Sequence, residues 1–206
     1  LRYYLLREIV FGADGNFAYD ALVTRYNADL ANGLGNLASR TLSMIHQYRG
    51  GVVQLRGGDE PFPLSATVSA AIDGYERLDF SRALESIWSL ISAADKYIVE
   101  QAPWKLAKDP AAAEQLDHVL ASVYDALRVV TVLAAPVLPD SCARIWKLLG
   151  FATPVDAERF GALLDAPEAA SRQVPAVEPV FPRLDMKTTI DKLNDLEQQE
   201  SDRQAV

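Results

Sequence analysis

Several residue types and patterns are scarce in this chain, and each scarcity excludes a class of protein. One cysteine, Cys142, stands alone among 206 residues. That excludes an intrachain disulfide framework and a multi-cysteine zinc site. No apolar run approaches the roughly 20 residues that a membrane-spanning helix needs, and no signal peptide opens the chain. Basic residues are outnumbered, 20 against 28 acidic, for a formal net charge of -8. A uniformly basic nucleic-acid coat is therefore excluded, while a local basic site is not. No GxGxxG, P-loop or HExxH motif occurs. The two histidines, His46 and His118, lie far apart without motif partners and read as surface or packing residues. Cys142 reads as a small buried residue and not a nucleophile. The chain begins at Leu1, not at methionine, already inside an apolar helical pattern, and so reads as a fragment or a processed product.

Strand signals are also few. Only Val52-Val53-Gln54-Leu55 looks extended. Between Gly50-Gly51 and Gly57-Gly58 it reads as a loop or a lone short strand.

What is present is helix. Leu1 to Ile9 is a short helical piece, followed by a turn cluster from Phe11 to Asn16. The spacing predicts a long helix from about Ala18 to Tyr48, with Leu30, Leu34, Leu37, Met44 and Tyr48 on one face. Gly33 and Gly35 fall inside it, each costing about 1 kcal/mol against alanine, a cost that close approach of a neighbouring helix offsets. A Gly- and Pro-rich loop covers 49–63, and a helix follows from about Ser65 to Leu78. Asp79 is a candidate cap for the next helix, whose Phe80, Leu84, Ile87, Trp88, Ile91 and Ile98 form an apolar stripe. Trp88 and Trp146 sit on such stripes and are assigned to the core. Pro103 ends that helix. Asp109-Pro110 opens another, with Leu116, Val119, Leu120, Val123, Leu127 and Val130 on one side, and Pro136 ends it. Pro139 to Leu149 is a further helix, stopped by Gly150.

Residues 154–206 carry a net charge of -5 and residues 1–153 a net of -3, so the acidity concentrates outside the periodic helices. Residues 187–206 read as a polar helix or a frayed tail with Ile190, Leu193 and Leu196 as a thin stripe. Four or five amphipathic helices cannot bury their stripes alone, so the expected fold is all-α, a helical bundle.

Three segments point to a family. They are Leu1-Arg2-Tyr3-Tyr4-Leu5-Leu6-Arg7-Glu8, then Arg25 to Asn32 running on into Asn36-Leu37-Ala38-Ser39-Arg40, and Gln101-Ala102-Pro103-Trp104-Lys105-Leu106-Ala107-Lys108-Asp109. Together they resemble the C-terminal part of the bacterial methionyl-tRNA synthetase family, class I aminoacyl-tRNA synthetases. Ala135 to Pro139 and Phe181 to Asp185 fit later landmarks of the same family. The resemblance spans about residues 1–185. The family's ATP-binding signatures, HIGH and KMSKS, and its zinc knuckle do not occur here.

The resemblance implies an anticodon-binding helical bundle of class I synthetases. Residues 1–16 would be the end of the region connecting to the catalytic domain and 17–153 the bundle. Residues 154–185 would be an extension packing back on it, and 186–206 a polar tail or linker. It implies a chain without a cofactor of its own and inactive alone, while the parent joins methionine to its tRNA with ATP. The implied partners are the methionine tRNA, through its anticodon loop, and the catalytic domain of the same enzyme, with no DNA and no membrane. The implied location is cytoplasmic.

In the family the anticodon is read by an Asn and an Arg on one bundle helix and by a Trp after a proline. The matching residues are Asn36, Arg40 and Trp104, with Pro103 beside the Trp. Asn36 and Arg40 are four apart, so they project from one helix face. An amide and a guanidinium suit the Watson–Crick edge of an unstacked base. An indole suits stacking. The resemblance implies that the base is the cytosine opening the methionine anticodon. Lys105 and Lys108 are candidate phosphate contacts.

Each residue also has a plain structural reading. Asn36 would be merely exposed, Arg40 paired with a surface acid, Trp104 a core plug, and the lysines solvated face residues. Two other readings of the whole chain stand beside the first. One is a protein-interaction scaffold, which gives no reason for the NLASR and APWKLAKD segments to occur together. The other is the anticodon domain of a valine, leucine or cysteine synthetase. Asn27 and Asp29 belong to a family landmark and are assigned packing or capping roles.

Overall fold

Proline, glycine and aspartate punctuate the helices. The computed structural model of the chain describes residues 1–10, 12–55, 61–165 and 170–204. Phe11 of the turn cluster, Gly57-Gly58 and the last two residues of the tail lie outside the described residues. The elements in chain order are α1 (Arg2–Glu8), α2 (Tyr19–Arg25), a π-helical segment (Tyr26–Gly35), α3 (Asn36–Arg49), β1 (Val52–Gln54), α4 (Leu64–Glu76) and α5 (Phe80–Gln101). They continue with α6 (Pro103–Leu106), α7 (Ala113–Ala134), α8 (Pro139–Leu148), β2 (Ser171–Gln173) and α9 (Met186–Gln204). The all-α expectation holds. Among the described residues no helix is long and apolar enough to cross a membrane.

Local chemistry sets the helix boundaries. The Asp79 carboxylate accepts from the Arg82 backbone N–H at 3.3 Å and caps α5, satisfying one of the amides left over at a helix start. Asp109 accepts from the Ala111 N–H at 2.9 Å, and Pro110 then opens the turn leading into α7. Pro139 occupies the first turn of α8, where its missing N–H costs nothing. Gly150 follows α8 with φ of 86°, a conformation that disfavours side chains. An added Cβ there would also overlap the Gln173 carbonyl oxygen.

α7 is the central helix. The expected stripe of Leu116, Val119, Leu120, Val123, Leu127 and Val130 is buried, and so are Tyr124, Val129 and Val132 on its other sides. A helix apolar nearly all round lies inside its neighbours. α3, α4, α5, α8 and β1 all pack against it. The Tyr124 hydroxyl inside this core donates to the Leu149 carbonyl at 2.6 Å, as a buried phenol requires.

The structure departs from the sequence expectations at three places. The long helix from Ala18 to Tyr48 is one helical rod, but residues 26–35 within it are π-helical. Long π segments are rare because their wider ring forfeits backbone packing. Here side chains and close neighbours hold the segment. The Asn27 amide donates to the Leu184 carbonyl and accepts from the Leu184 N–H, both at 2.9 Å. Asp29 accepts from the Tyr3 hydroxyl at 2.6 Å and from Arg25, which also pairs with Glu8. These are packing roles for Asn27 and Asp29. A Cβ on Gly33 would sit 3.5 Å from Trp88 Nε1, and one on Gly35 would meet Leu30 O at 2.8 Å and Phe181 Cβ at 3.2 Å. The two glycines therefore admit close neighbours: α5 at one and the C-terminal segment at the other.

The second departure is at Val52–Gln54. It is neither loop nor lone strand. It pairs antiparallel with Ser171–Gln173, in the register Val52 to Gln173, Val53 to Arg172 and Gln54 to Ser171. The partner lies over a hundred residues on and has a polar sequence with no strand signal. Third, Trp146 is buried core, stacked on Phe151 at 3.7 Å, but Trp88 is only half-buried. Its ring lies 4.6 Å from that of Tyr3, and its N–H donates to the Asp29 carbonyl at 3.1 Å.

Several described residues between 170 and 185 bond to the helices. His46 Nε2 meets the Pro175 carbonyl at 2.6 Å, the Tyr26 hydroxyl donates to the Pro182 carbonyl, and Arg144 donates to the Pro179 carbonyl. α9 is helical, packs against α2, and brings Glu197 to the Tyr19 hydroxyl at 3.2 Å.

Candidate nucleic-acid interface

The candidate residues lie at the start of α3 and just beyond the end of α5. Asn36 is the first residue of α3, where the π segment ends. Leu37, Ala38, Thr41 and Leu42 are buried, so the opposite side of the helix faces solvent. Asn36 is exposed on that side, and Arg40, one turn on, is half-buried. The Asn36 amide has no hydrogen-bond partner among the described residues, so its donors and acceptor are open to a ligand. The anchored π segment behind it fixes where the amide is presented.

The second part begins where α5 stops. Ala102 takes the left-handed conformation, with φ of 45°, and Pro103 starts the single turn of α6. Pro103 is buried and Leu106 packs against the core. Those two anchors turn the intervening side chains outward. Trp104 is 40% exposed, and its ring has no aromatic neighbour and no hydrogen bond among the described residues. It is not a core plug. Lys105 and Lys108 are exposed beside it, and neither forms an ion pair among the described residues.

One contact ties the two parts together. Arg40 Nη1 donates to Asp95 Oδ1 at 3.0 Å, which is the acid partner its plain structural reading expects. Asp95 lies on α5 six residues before its end, about 9 Å at the usual helical rise, and α6 follows directly. Burial raises the Asp95 carboxyl above its ordinary value, and the Arg40 guanidinium offsets that only in part. In the sequence Asp95 is one of many acidic residues. Its sole signal was its place at the margin of the α5 stripe, four residues after Ile91.

The remaining candidates offer no second centre. Cys142 is buried, and burial pushes its thiol up to about 12. His118 is half-buried and far from His46 in sequence. Among the described residues no cluster of His, Cys, Asp or Glu could hold a metal ion. A shallow cleft is lined by Val10, Leu78, Arg82 and Glu85.

Comparison with known proteins agrees with this architecture. Residues 1–42 match the family described as "tRNA synthetases class I (M)", and residues 63–197 match "Anticodon-binding domain of tRNA ligase". The methionine–tRNA ligase of Bacillus subtilis is 39% identical over 197 residues, 92% of this chain and 30% of that protein. That of Clostridium perfringens is 39% identical over 208 residues, 96% of this chain and 30% of that protein. The chain thus spans about a third of the curated relatives it matches. The crystal structure of free Mycobacterium tuberculosis methionyl-tRNA synthetase superposes with a TM-score of 0.79 at 35% identity, covering 89% of this chain and 38% of that one. The same enzyme in complex with methionyl-adenylate gives 0.77 at 36% identity, covering 88% and 37%. The chain therefore belongs to the family of anticodon-binding domains of tRNA ligases and corresponds to the anticodon-binding region of methionyl-tRNA synthetase.

Proposed function

We propose that this chain reads the first anticodon base of methionine tRNA. The base, a cytosine, leaves its stack and lies on the Trp104 indole. Its Watson–Crick edge bonds to Asn36 and Arg40, and Lys105 and Lys108 contact neighbouring phosphates. The observation that carries this reading is the Trp104 indole, exposed without a ring partner and set by Pro103 at the end of α5. Base–aromatic stacking contributes roughly 1–3 kcal/mol per base, enough to matter in a domain whose net charge repels RNA. In the whole enzyme, a cytoplasmic ligase, this contact selects the tRNA and orients its acceptor end. The catalytic half then attaches methionine using ATP.

The test is binding of a methionine-anticodon stem-loop to the chain at fixed, low salt. A cytosine-to-uridine change at the first anticodon position and Trp104→Ala should each weaken binding. Binding indifferent to both would reduce the interface to a generic electrostatic contact and refute base reading.

A further inference from the structure

Arg40 is not a free guanidinium at this interface. It is already held by Asp95, and the two side chains keep 34% and 26% of their exposure. The Arg40 bond uses Asp95 Oδ1. Oδ2 carries no hydrogen bond among the described residues. The neighbouring charges on α5, Lys96 and Glu100, pair with each other at 3.6 Å and leave the Asp95 carboxylate to Arg40. Asp95 is therefore a carboxylate short of donors, still reachable from solvent, and locked beside the guanidinium assigned to the base. Its raised pKa has the same origin: burial has removed water that Arg40 alone does not replace.

The pair has a definite polarity. A carboxylate only accepts hydrogen bonds and a guanidinium only donates. Side by side they present an acceptor followed by donors. The Watson–Crick edge of cytosine is the complement: an exocyclic amine that donates, then a ring nitrogen and a carbonyl that accept. Uridine reverses the first two groups. Its O4 would face the carboxylate lone pairs, and its N3–H would face the guanidinium N–H groups. Arg40 alone would not discriminate well, because a guanidinium also donates readily to the carbonyls of uridine.

We propose that Asp95 is a specificity-determining residue, whose Oδ2 accepts the exocyclic amine of the first anticodon cytosine while Oδ1 holds Arg40 against the ring edge. This inference rests on the anticodon reading of the preceding section and adds a division of labour to it. Trp104 and Arg40 supply affinity. Asp95 supplies rejection, by setting an unpaired acceptor against the wrong base. Acceptance of a cytosine amine by aspartate is a known pairing of base recognition.

The experiment measures dissociation constants of the full chain for three anticodon stem-loops, carrying cytosine, uridine or pyrimidin-2-one at the first position. Pyrimidin-2-one is cytosine without the exocyclic amine. The proteins are wild type, Asp95→Ala and Asp95→Asn, with thermal melts of each. The wild-type chain should prefer cytosine and should lose about tenfold when the amine is removed, as expected for a hydrogen bond to a charged group. Asp95→Ala should bind cytosine and pyrimidin-2-one equally, and its cytosine-to-uridine ratio should shrink by about tenfold. Asp95→Asn keeps the shape of the side chain, and its amide either donates or accepts, so it should tolerate both natural bases.

If Asp95→Ala keeps both the ratio and the amine dependence, the proposal is overturned while the anticodon reading stands. If the ratio collapses but the amine still matters in Asp95→Ala, Asp95 acts only by positioning Arg40, and the direct contact is overturned. A wild-type chain that binds none of the stem-loops, or binds all three alike, refutes the anticodon reading itself.

Discussion

Asn27 and Leu184 exchange two hydrogen bonds of 2.9 Å across 157 residues of sequence. A side-chain amide thus imitates a strand partner and ties the π segment to the C-terminal extension. The segment ends one residue before Asn36, so this tie also sets where the candidate interface begins. Asn27→Ala leaves a part-buried N–H and a carbonyl of Leu184 unpaired. It should destabilise the chain by about 1–3 kcal/mol. Urea unfolding measures this, and a change within about 0.5 kcal/mol, as for an ordinary surface site, would refute the tie.

Gly35 is held by space, because its own dihedrals, φ of -64° and ψ of -42°, are ones any residue adopts. An added Cβ meets the Leu30 carbonyl from one side and Phe181 from another. Gly35→Ala should therefore lower stability by about 1–3 kcal/mol, as overpacking does, against the gain of about 1 kcal/mol expected of this change in an open helix. The sign of the shift in unfolding midpoint decides between them.

Trp104→Ala should separate binding from folding. The side chain is half in solvent and touches no other ring, so stability should change by no more than about 0.5 kcal/mol. Stem-loop affinity should fall by roughly 1–3 kcal/mol. A large loss of stability would mean that the indole serves the bundle.

Lys105 and Lys108 should show themselves through salt. Each phosphate contact on a single strand contributes about 0.7 to the slope of log affinity against log salt. Lys105→Ala and Lys108→Ala should each flatten the slope by about that amount, without altering the preference between bases. An unchanged slope would mark them as solvated face residues.

Alkaline pH should destabilise the fold. Cys142 has an ordinary value of 9.0, and burial pushes it up to about 12 in the folded chain. Unfolding then releases a proton, so this contribution is complete below about pH 9 and is lost as the pH rises from 9 to 12. Burial raises Tyr3, Tyr75 and Tyr124 as well, and they act in the same direction. Unfolding free energies should fall between pH 8 and pH 10.5, and the native thiol should resist a thiol-specific reagent at pH 8 until the chain unfolds. Prompt labelling of the folded chain would contradict its burial.

The helices and most of their ends are encoded locally. A 3.6-residue stripe and a cap are local facts, written at Asp79, Asp109, Pro139 and Gly150 and read the same way in any context. The order of the NLASR and APWKLAKD segments likewise pointed to the family. Other features depend on partners distant along the chain and arise from long-range packing. Residues 26–35 are π-helical where Asn27 bonds Leu184 and Gly35 lies against Phe181, and no local propensity encodes either meeting. Val52–Gln54 becomes a strand because Ser171–Gln173, polar and unremarked in sequence, supplies its hydrogen bonds. Trp88 is half-buried with its N–H on the Asp29 carbonyl, a partner 59 residues away in the chain. Arg40 and Asp95 were both legible as charges, but their pairing is long-range. A charge pattern gives the sign of each group, and only packing α3 against α5 sets one beside the other.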